Sequence, residues 1–533
     1  MEQTGGTEIG TQRPKRLGPL DYFAIGTFSL VLAEVVGVAV LVAPSRISLE
    51  VASLIYLVNL VGIALLMLIA GRFMASAWGV VAPWLQPPLL MAAWFLSTTG
   101  IPGLATFLYP KTLLALPGAP KGYYSFVASG MALCLVGFTA LWIGYTLGFA
   151  TLRPVRVLRS FGGGSPSALV VLGLYALTVA IRLVRILVTG IAYGAESARL
   201  GPLQPFDQWF KYIEDSRYLV LAITASLVFT RRWPWWVLIP MFVAEIVYGF
   251  TSGFMKPLIW VIVVVILGFL YSGLSLKKCT GYGVIGLVLA VLIVPVAQEL
   301  RLRAGNFDQR SPVQVCDATL EAFQSTWGRG PEAGWSTFVD KALVRQASVA
   351  QMPGIIMLRT PSEIPYEGAG QFLAIPGYLV PRAIWPDKPI LSRGVWFGIT
   401  YLNDVPWTNS SGAMTVFGES YIFAGWMGTI LGLFGLGLVL ALLFRNSVSA
   451  RLVPLYVALA PQFLDYESQL TTKIVALAQE FFVFLAIYWL LLKTPHMVST
   501  LVARPATGSH AGAAESASSK EAPEPGAESS HGS

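Results

Sequence analysis

Two arginines three residues apart, Arg182 and Arg185, stand inside the apolar run ALVVLGLYALTVAIRLVRILVTGIAYG. At that spacing they share one face of a helix. An arginine at the centre of a membrane helix costs about 2.5–3.5 kcal/mol on insertion scales. Either the two side chains snorkel towards lipid headgroups, or they line an anion site facing the interior of a helix bundle. Other cations stand where apolar runs end: Lys256 in TSGFMKPLIW, Arg301 and Arg303 in QELRLRAG, then Arg345, Arg382, Lys388 and Arg393. Each alone reads as a solvated or headgroup contact. Together they suit a polyanion, and a diphosphate is the obvious candidate because guanidinium forks match its oxygens.

Carboxylates supply the other half of such a site. Glu34 and Glu245 lie within apolar runs, Glu419 sits in VFGESYIFAGWMG, and LDYESQ brings Asp465 and Glu467 together. All three histidines (His496, His510, His531) follow the last apolar run. No imidazole is left for a membrane or outer-face site, so a general base there would be a carboxylate. Partial burial raises a carboxyl pKa and suits that role. The plainer readings are a helix–helix polar contact for Glu34 and loop solvation for Asp465 and Glu467.

The elements that must position these residues are membrane helices. Of 533 residues 55% are hydrophobic and 12% charged, about half the charge of an average soluble domain. A bilayer core needs roughly 20 apolar residues per helix. About twelve runs fit an all-α polytopic membrane protein: 21–43, 51–70, 87–109, 123–150, 167–194, 218–230, 234–252, 257–273, 281–298, 420–443, 452–468 and 472–492. The first, from Asp21, is too long for a cleavable signal and lacks a small-residue cleavage site. Cys134, Cys279 and Cys316 fall in different regions and suggest neither a disulfide framework nor a metal cluster.

Clustered cations in alternate short loops (Arg72; Arg153, Arg156 and Arg159; Arg231 and Arg232; Lys277 and Lys278; Arg445 and Arg451) put both termini in the cytoplasm. Residues 1–20 then form a cytoplasmic arm, 21–298 the first nine spans, 420–492 the last three, and 493–533 a disordered cytoplasmic tail. The long polar segment 299–419 faces outward. Its tryptophans and tyrosines point to a folded, partly helical cap, with FVDKALVRQASVAQMPGIIML as a helix lying on it.

This outer segment resembles the bacterial oligosaccharide repeat-unit polymerases, the Wzy-type O-antigen polymerases. The matching stretches are Arg345 ahead of a short helix, TPSEIPYEGAG (360–370), VPRAIWPDKP (380–389) and TNSSGAMTVFGESYIFAGWMG (408–428), with Lys256 as the upstream outer-turn cation. The resemblance covers the polytopic layout and, in detail, about 85 residues of loop. It implies a GT-C-like glycosyltransferase that joins undecaprenyl-diphosphate-linked oligosaccharides at the outer leaflet of the plasma (inner) membrane and releases undecaprenyl diphosphate. Products of that class are O-antigen, capsule or exopolysaccharide.

The resemblance also implies roles. Arg182, Arg185, Lys256 and Arg345 would bind the diphosphate, with Arg382 and Lys388 next, and Tyr366 and Tyr421 lie in the matched stretches as substrate contacts. Pro381, Pro386 and Pro389 restrict the backbone around Arg382, Asp387 and Lys388. Trp385 either stacks on a sugar or anchors the loop at the interface. Asp387 either orients its cationic neighbours or touches substrate. The candidates for the general base are Glu419, Asp465 and Glu467, in no fixed order. No metal is required if the arginines carry the charge, and no cofactor is expected. The expected partners are lipid-linked oligosaccharides, membrane lipid, a chain-length regulator and a flippase, with no nucleic acid.

Two other readings stay open. An O-antigen ligase shares the layout, but its outer loop is expected to carry a functional histidine. A transporter or flippase of anionic lipid-linked glycans would also use buried arginines, yet no inverted repeat or paired broken helices stand out in the sequence.

Overall fold

A computed structural model describes residues 47–78, 85–109, 123–156, 158, 166–189, 207–251, 255–272, 276–304, 312–328, 330–380, 384–385, 393–402, 412–449 and 452–502. Among these residues every regular element is helical and no strand occurs. The helices are α1 (Leu49–Trp78), α2 (Pro87–Phe95), α3 (Ile101–Leu108), α4 (Tyr123–Thr151), α5 (Ala168–Thr189), α6 (Asp207–Phe229), α7 (Trp235–Thr251), α8 (Met255–Tyr271), α9 (Leu276–Ala304), α10 (Pro312–Trp327), α11 (Pro331–Arg359), α12 (Gly370–Leu373), α13 (Ile375–Leu379), α14 (Gly394–Leu402), α15 (Val416–Ser449), α16 (Val453–Ala458), α17 (Ala460–Leu464) and α18 (Leu470–Val502). A π-helical turn, Leu96–Gly100, joins α2 to α3.

Among the described residues five helices are long and apolar enough to cross a membrane: Leu49–Ile69, Pro87–Leu108, Tyr123–Thr151, Val416–Ser449 and Leu470–Leu491. Four shorter apolar stretches accompany them: Ala168–Val184, Trp235–Gly249, Lys256–Tyr271 and Gly283–Ala297. The run at 452–468 is two short helices that adjoin at Leu459 and end at Asp465, which leaves helical geometry (φ −70°, ψ 73°). The run at 21–43 lies outside the described residues.

The centre of the bundle is α4 packed along α15. Glycines permit the approach: a Cβ on Gly144 would lie 2.1 Å from the Phe434 carbonyl oxygen, and one on Gly437 would lie 2.2 Å from that of Leu141. Without side chains there the backbones come close, which is how helices associate in lipid. At one end Arg445 donates to the Phe149 carbonyl, and the Val155 N–H donates to Asn446 Oδ1 at 2.7 Å.

Helix α11 departs from expectation. It exists where the sequence puts a cap helix, but its second half is built into the bundle rather than lying on it. Ala347, Gln351, Ile355 and Ile356 are fully buried, and a Cβ on Gly354 would meet the Phe126 carbonyl at 2.3 Å. Tyr123 donates its hydroxyl to Gln351 Oε1 at 3.1 Å, satisfying a polar pair inside the packed interface.

Helix α15 is broken near its start. Ala424 (φ −158°, ψ 34°) and Gly425 (φ 62°, ψ −141°) leave helical geometry, and the positive φ favours glycine. The freed carbonyls of Ile422 and Phe423 accept the N–H groups of Glu367 and Gly368, each at 3.0 Å. The Thr360–Gly370 loop is thereby fixed to the break.

Candidate substrate site

Four side chains singled out in the sequence meet at the end of the bundle where α8, α15 and α18 begin. Lys256 opens α8, Arg345 sits midway along α11, and Asp465 and Glu467 lie in the turn between α17 and α18. Lys256 Nζ donates to both carboxylate oxygens of Asp465 at 3.1 Å and pairs with Glu467 Oε2 at 3.2 Å. Arg345 Nη2 donates to the same Glu467 oxygen at 2.9 Å. The two cationic side chains keep 41% and 40% of their surface, against 10% for Glu467. The cations are therefore the accessible half of the cluster.

The turn that carries the carboxylates is held from beneath. The Val416 N–H donates to the Tyr466 carbonyl at 2.9 Å, and the buried Tyr466 hydroxyl pairs with Thr98 Oγ1 at 2.8 Å. Lys473, 1% exposed, donates to the carbonyls of Gln462 (2.7 Å), Phe463 (3.2 Å) and Asp465 (2.8 Å). A cation at the end of α17 satisfies carbonyls that the helix leaves unpaired.

Glu419 stands apart. It is fully buried on the first turn of α15. Its two oxygens accept the Thr471 N–H at 2.9 Å and the Thr471 hydroxyl at 2.7 Å. A carboxylate on the first turn of α18 caps that helix and meets its positive end, so both oxygens already have structural partners.

Tyr366 and Tyr421 do come together, with ring centroids 6.1 Å apart. Tyr366 also lies against Gly425 at the helix break, 2.8 Å from where a Cβ would stand. Beside them Arg393 pairs with Glu367 and lies 3.8 Å over the Trp396 ring. Trp385 is exposed and reaches back towards Gly377 on α13. Arg382, Asp387 and Lys388 lie outside the described residues. The neck leading to them is tied to α18, because Gln479 Nε2 donates to the carbonyls of Tyr378 (3.1 Å) and Leu379 (3.3 Å) while accepting the Tyr212 hydroxyl.

Arg182 faces the bundle interior, 5% exposed, and it faces carboxylates there. It donates to Glu245 from Nη1 and Nη2 at 3.2 and 3.1 Å, and to Glu214 from Nε at 3.3 Å. Arg217 binds the same Glu214 oxygen at 2.9 Å and lies 3.5 Å from Glu245. Tyr175 and Tyr248 donate hydroxyls to Glu245 and Glu214. Snorkelling is thus not what Arg182 does. Its charge is met inside the protein, as buried charges require. Arg185 belongs to α5, and its side chain lies outside the described residues.

A model of a domain family of unknown function, DUF8712, matches residues 178–450. The chain belongs to that family. No curated protein and no solved structure matches it. The DUF8712 stretch contains Arg182, Arg217, Glu245, Lys256, Arg345 and Glu419, whereas Asp465, Glu467 and Lys473 lie beyond its end. The cations of the cluster therefore belong to the DUF8712 region, and the carboxylates that meet them do not.

Several residues of this DUF8712 protein escaped the sequence reading. Glu214, Asp215 and Arg217 fall in YIEDSRY, ahead of the apolar run at 218–230, whereas the helix starts at Asp207. Lys473 and Glu480 sit inside the apolar run of α18. An ionisable side chain within such a run is itself a functional signal, and it could have found both.

Proposed function

We propose that this protein is a membrane glycosyltransferase. It would polymerise oligosaccharide repeat units carried on undecaprenyl diphosphate at the outer leaflet of a bacterial plasma membrane, releasing undecaprenyl diphosphate. The observation that carries this reading is the Lys256–Asp465–Glu467–Arg345 cluster: accessible cations interleaved with carboxylates at one end of an apolar helix bundle. The cation pattern of the short loops assigns that end to the outer face.

The chemistry needs both signs of charge. A hydroxyl of the acceptor sugar attacks the anomeric carbon of the donor as the bond from that carbon to the diphosphate oxygen breaks. Negative charge gathers on the leaving diphosphate, and fixed cations stabilise it more in the transition state than in the ground state. Lys256 and Arg345 take that part, with Arg382 and Lys388 as the next candidates. The hydroxyl proton passes to a carboxylate. An arriving diphosphate competes for the two cations and releases Asp465 or Glu467 from its ion pairs, so donor binding itself frees the base. Arg182, engaged by Glu214 and Glu245, positions the helices around this site. Trp385 and Tyr366 offer exposed aromatic surfaces for sugar rings, whereas Tyr421 is buried behind Tyr366 and supports it.

The full layout under this reading has about twelve spans in a GT-C-like arrangement. Five are the long apolar helices and four the shorter ones. Residues 21–43, α6 and the α16–α17 pair complete it.

A carrier for anionic glycolipids is the second reading, favoured by the ion network of Arg182, Arg217, Glu214 and Glu245 among the apolar helices. One experiment separates the two. Purified protein in nanodiscs, given lipid-linked repeat units from its host, should build a ladder of longer lipid-linked glycans. Absence of a ladder, with movement of intact substrate across sealed vesicles, would replace the polymerase by the carrier.

A further inference from the structure

Lys473 is buried on the first turn of α18, the positive end of that helix. Both features count against a cation: burial strips its water, and the helix end repels it. A leucine would meet neither cost. The ammonium is retained because its three donors reach three carbonyls, those of Gln462, Phe463 and Asp465. The first two lie at the end of α17, and the third belongs to the residue just beyond it.

Thr415, directly before α15, is a second anomaly beside the same turn. Its φ is 67°, and among the described residues Arg231 is the other non-glycine residue with a positive φ. A β-branched side chain in that region is an outlier, and backbone held there clusters at functional sites. The conformation aims two consecutive amides at one place. The Thr415 N–H donates to the Glu467 carbonyl at 3.3 Å, and the Val416 N–H to that of Tyr466 at 2.9 Å. Thr415 Oγ1 also accepts the Gly418 N–H at 3.1 Å, so the residue caps α15 as well.

These contacts converge on three consecutive residues. The Asp465 carbonyl is taken by Lys473 and by the Ser468 N–H at 3.1 Å, that of Tyr466 by Val416 and that of Glu467 by Thr415. With its carbonyls held on the inner side, the turn presents the Asp465 and Glu467 carboxylates to Lys256 and Arg345. Lys473 and Thr415 reach this turn through its backbone, not through its carboxylates. We propose that Lys473 and Thr415 are positioning residues: they fix the 465–467 backbone so that both carboxylates stand against the two cations, ready to be exchanged for an anion. That the anion is a glycosyl diphosphate, and that the freed carboxylate accepts a proton, rests on the proposed function. The holding of the turn does not.

The test pairs backbone amide exchange with single-turnover transfer, using full-length protein in nanodiscs and lipid-linked repeat units from its host. Lys473→Met keeps the reach of the side chain and removes its donors. The amides of Thr415, Val416 and Ser468 should then exchange faster, and transfer should slow about ten- to a hundredfold with substrate binding unchanged. Thr415→Gly takes up the positive φ without strain, so its unfolding temperature should stay near that of wild type while transfer slows about tenfold. A structural role alone would not separate those two readouts. Gly437→Ala, which loosens the α4–α15 seam away from the turn, should lower the unfolding temperature and leave transfer per folded molecule unchanged. Should Lys473→Met fail to fold, Thr415→Gly carries both readouts. Unchanged exchange at the three amides would overturn the proposal, as would wild-type transfer by the folded variants, or transfer that falls only in step with unfolding. Faster exchange in the variants with no transfer by the wild-type protein would keep the held turn and remove the polymerase.

Discussion

Lys256 and Arg345, 89 positions apart in the chain, converge on a single oxygen of Glu467, at 3.2 and 2.9 Å. Two cations on one acceptor leave donor capacity unused, and Asp465 takes up part of it from Lys256. The cluster is balanced in charge and open to solvent on its cationic side, the arrangement that lets an incoming anion exchange for a carboxylate. Partly exposed ion pairs of this kind add little to stability, about 1 kcal/mol or less.

Arg345→Ala and Glu467→Ala should therefore cost the fold little. A double-mutant cycle read by thermal unfolding in detergent should give a coupling below about 1 kcal/mol. The same variants should lower glycan transfer by about 10²–10³, the usual effect of removing one group that stabilises developing charge. Equal losses of stability and activity would make the cluster a structural device.

The buried network should behave in the opposite way. Removing one partner, as in Arg182→Ala or Glu245→Ala, strands a charge among apolar helices and should cost about 3–5 kcal/mol. Replacing both, as in Arg182→Met/Glu245→Leu, should cost less than the sum of the two single changes. Calorimetry of the solubilised variants measures this; strict additivity would show that the pair does not act as one unit.

Glu419 separates a cap from a base. Glutamine keeps an acceptor for Thr471 but cannot take a proton, so Glu419→Gln should retain most of the transfer rate. Glu419→Ala leaves the Thr471 N–H buried without a partner and should cost about 1–3 kcal/mol of stability. A Glu419→Gln protein that folds normally and is inactive would return Glu419 to the catalytic group.

The α4–α15 seam should tolerate no added atoms. Gly144→Ala and Gly437→Ala each drive a methyl to within about 2 Å of a carbonyl oxygen and should destabilise by about 1–3 kcal/mol through backbone displacement. Gly173→Ala, at an open position, is the control in the same unfolding assay.

Much of this arrangement was legible in the chain because lipid imposes long apolar runs, and those runs set the helices. The helices at α1, α4, α8 and α18 fall where hydropathy puts them. Lys256, Arg345, Asp465 and Glu467 could be picked out because charge beside such runs is conspicuous. What could not be read was pairing. Nothing in the spacing of Lys256 and Asp465, 209 positions apart, says that they touch. The buried half of α11 was hidden because Gln351 and Ser348 make its run look like a surface helix, while Gly354 and Gly130 supply the close contact. Helix α6 carries its ion network at its polar end, and a hydropathy window clips that end off.

Under the proposed function, Lys256 and Arg345 hold the diphosphate of a glycosyl donor while the bond to it breaks. Single-turnover transfer between lipid-linked repeat units tests it most directly, comparing wild type with Lys256→Met and Arg345→Ala in nanodiscs. Both variants should fold, bind acceptor normally, and lose at least about a hundredfold in the transfer step. Wild-type transfer rates in both variants would contradict it.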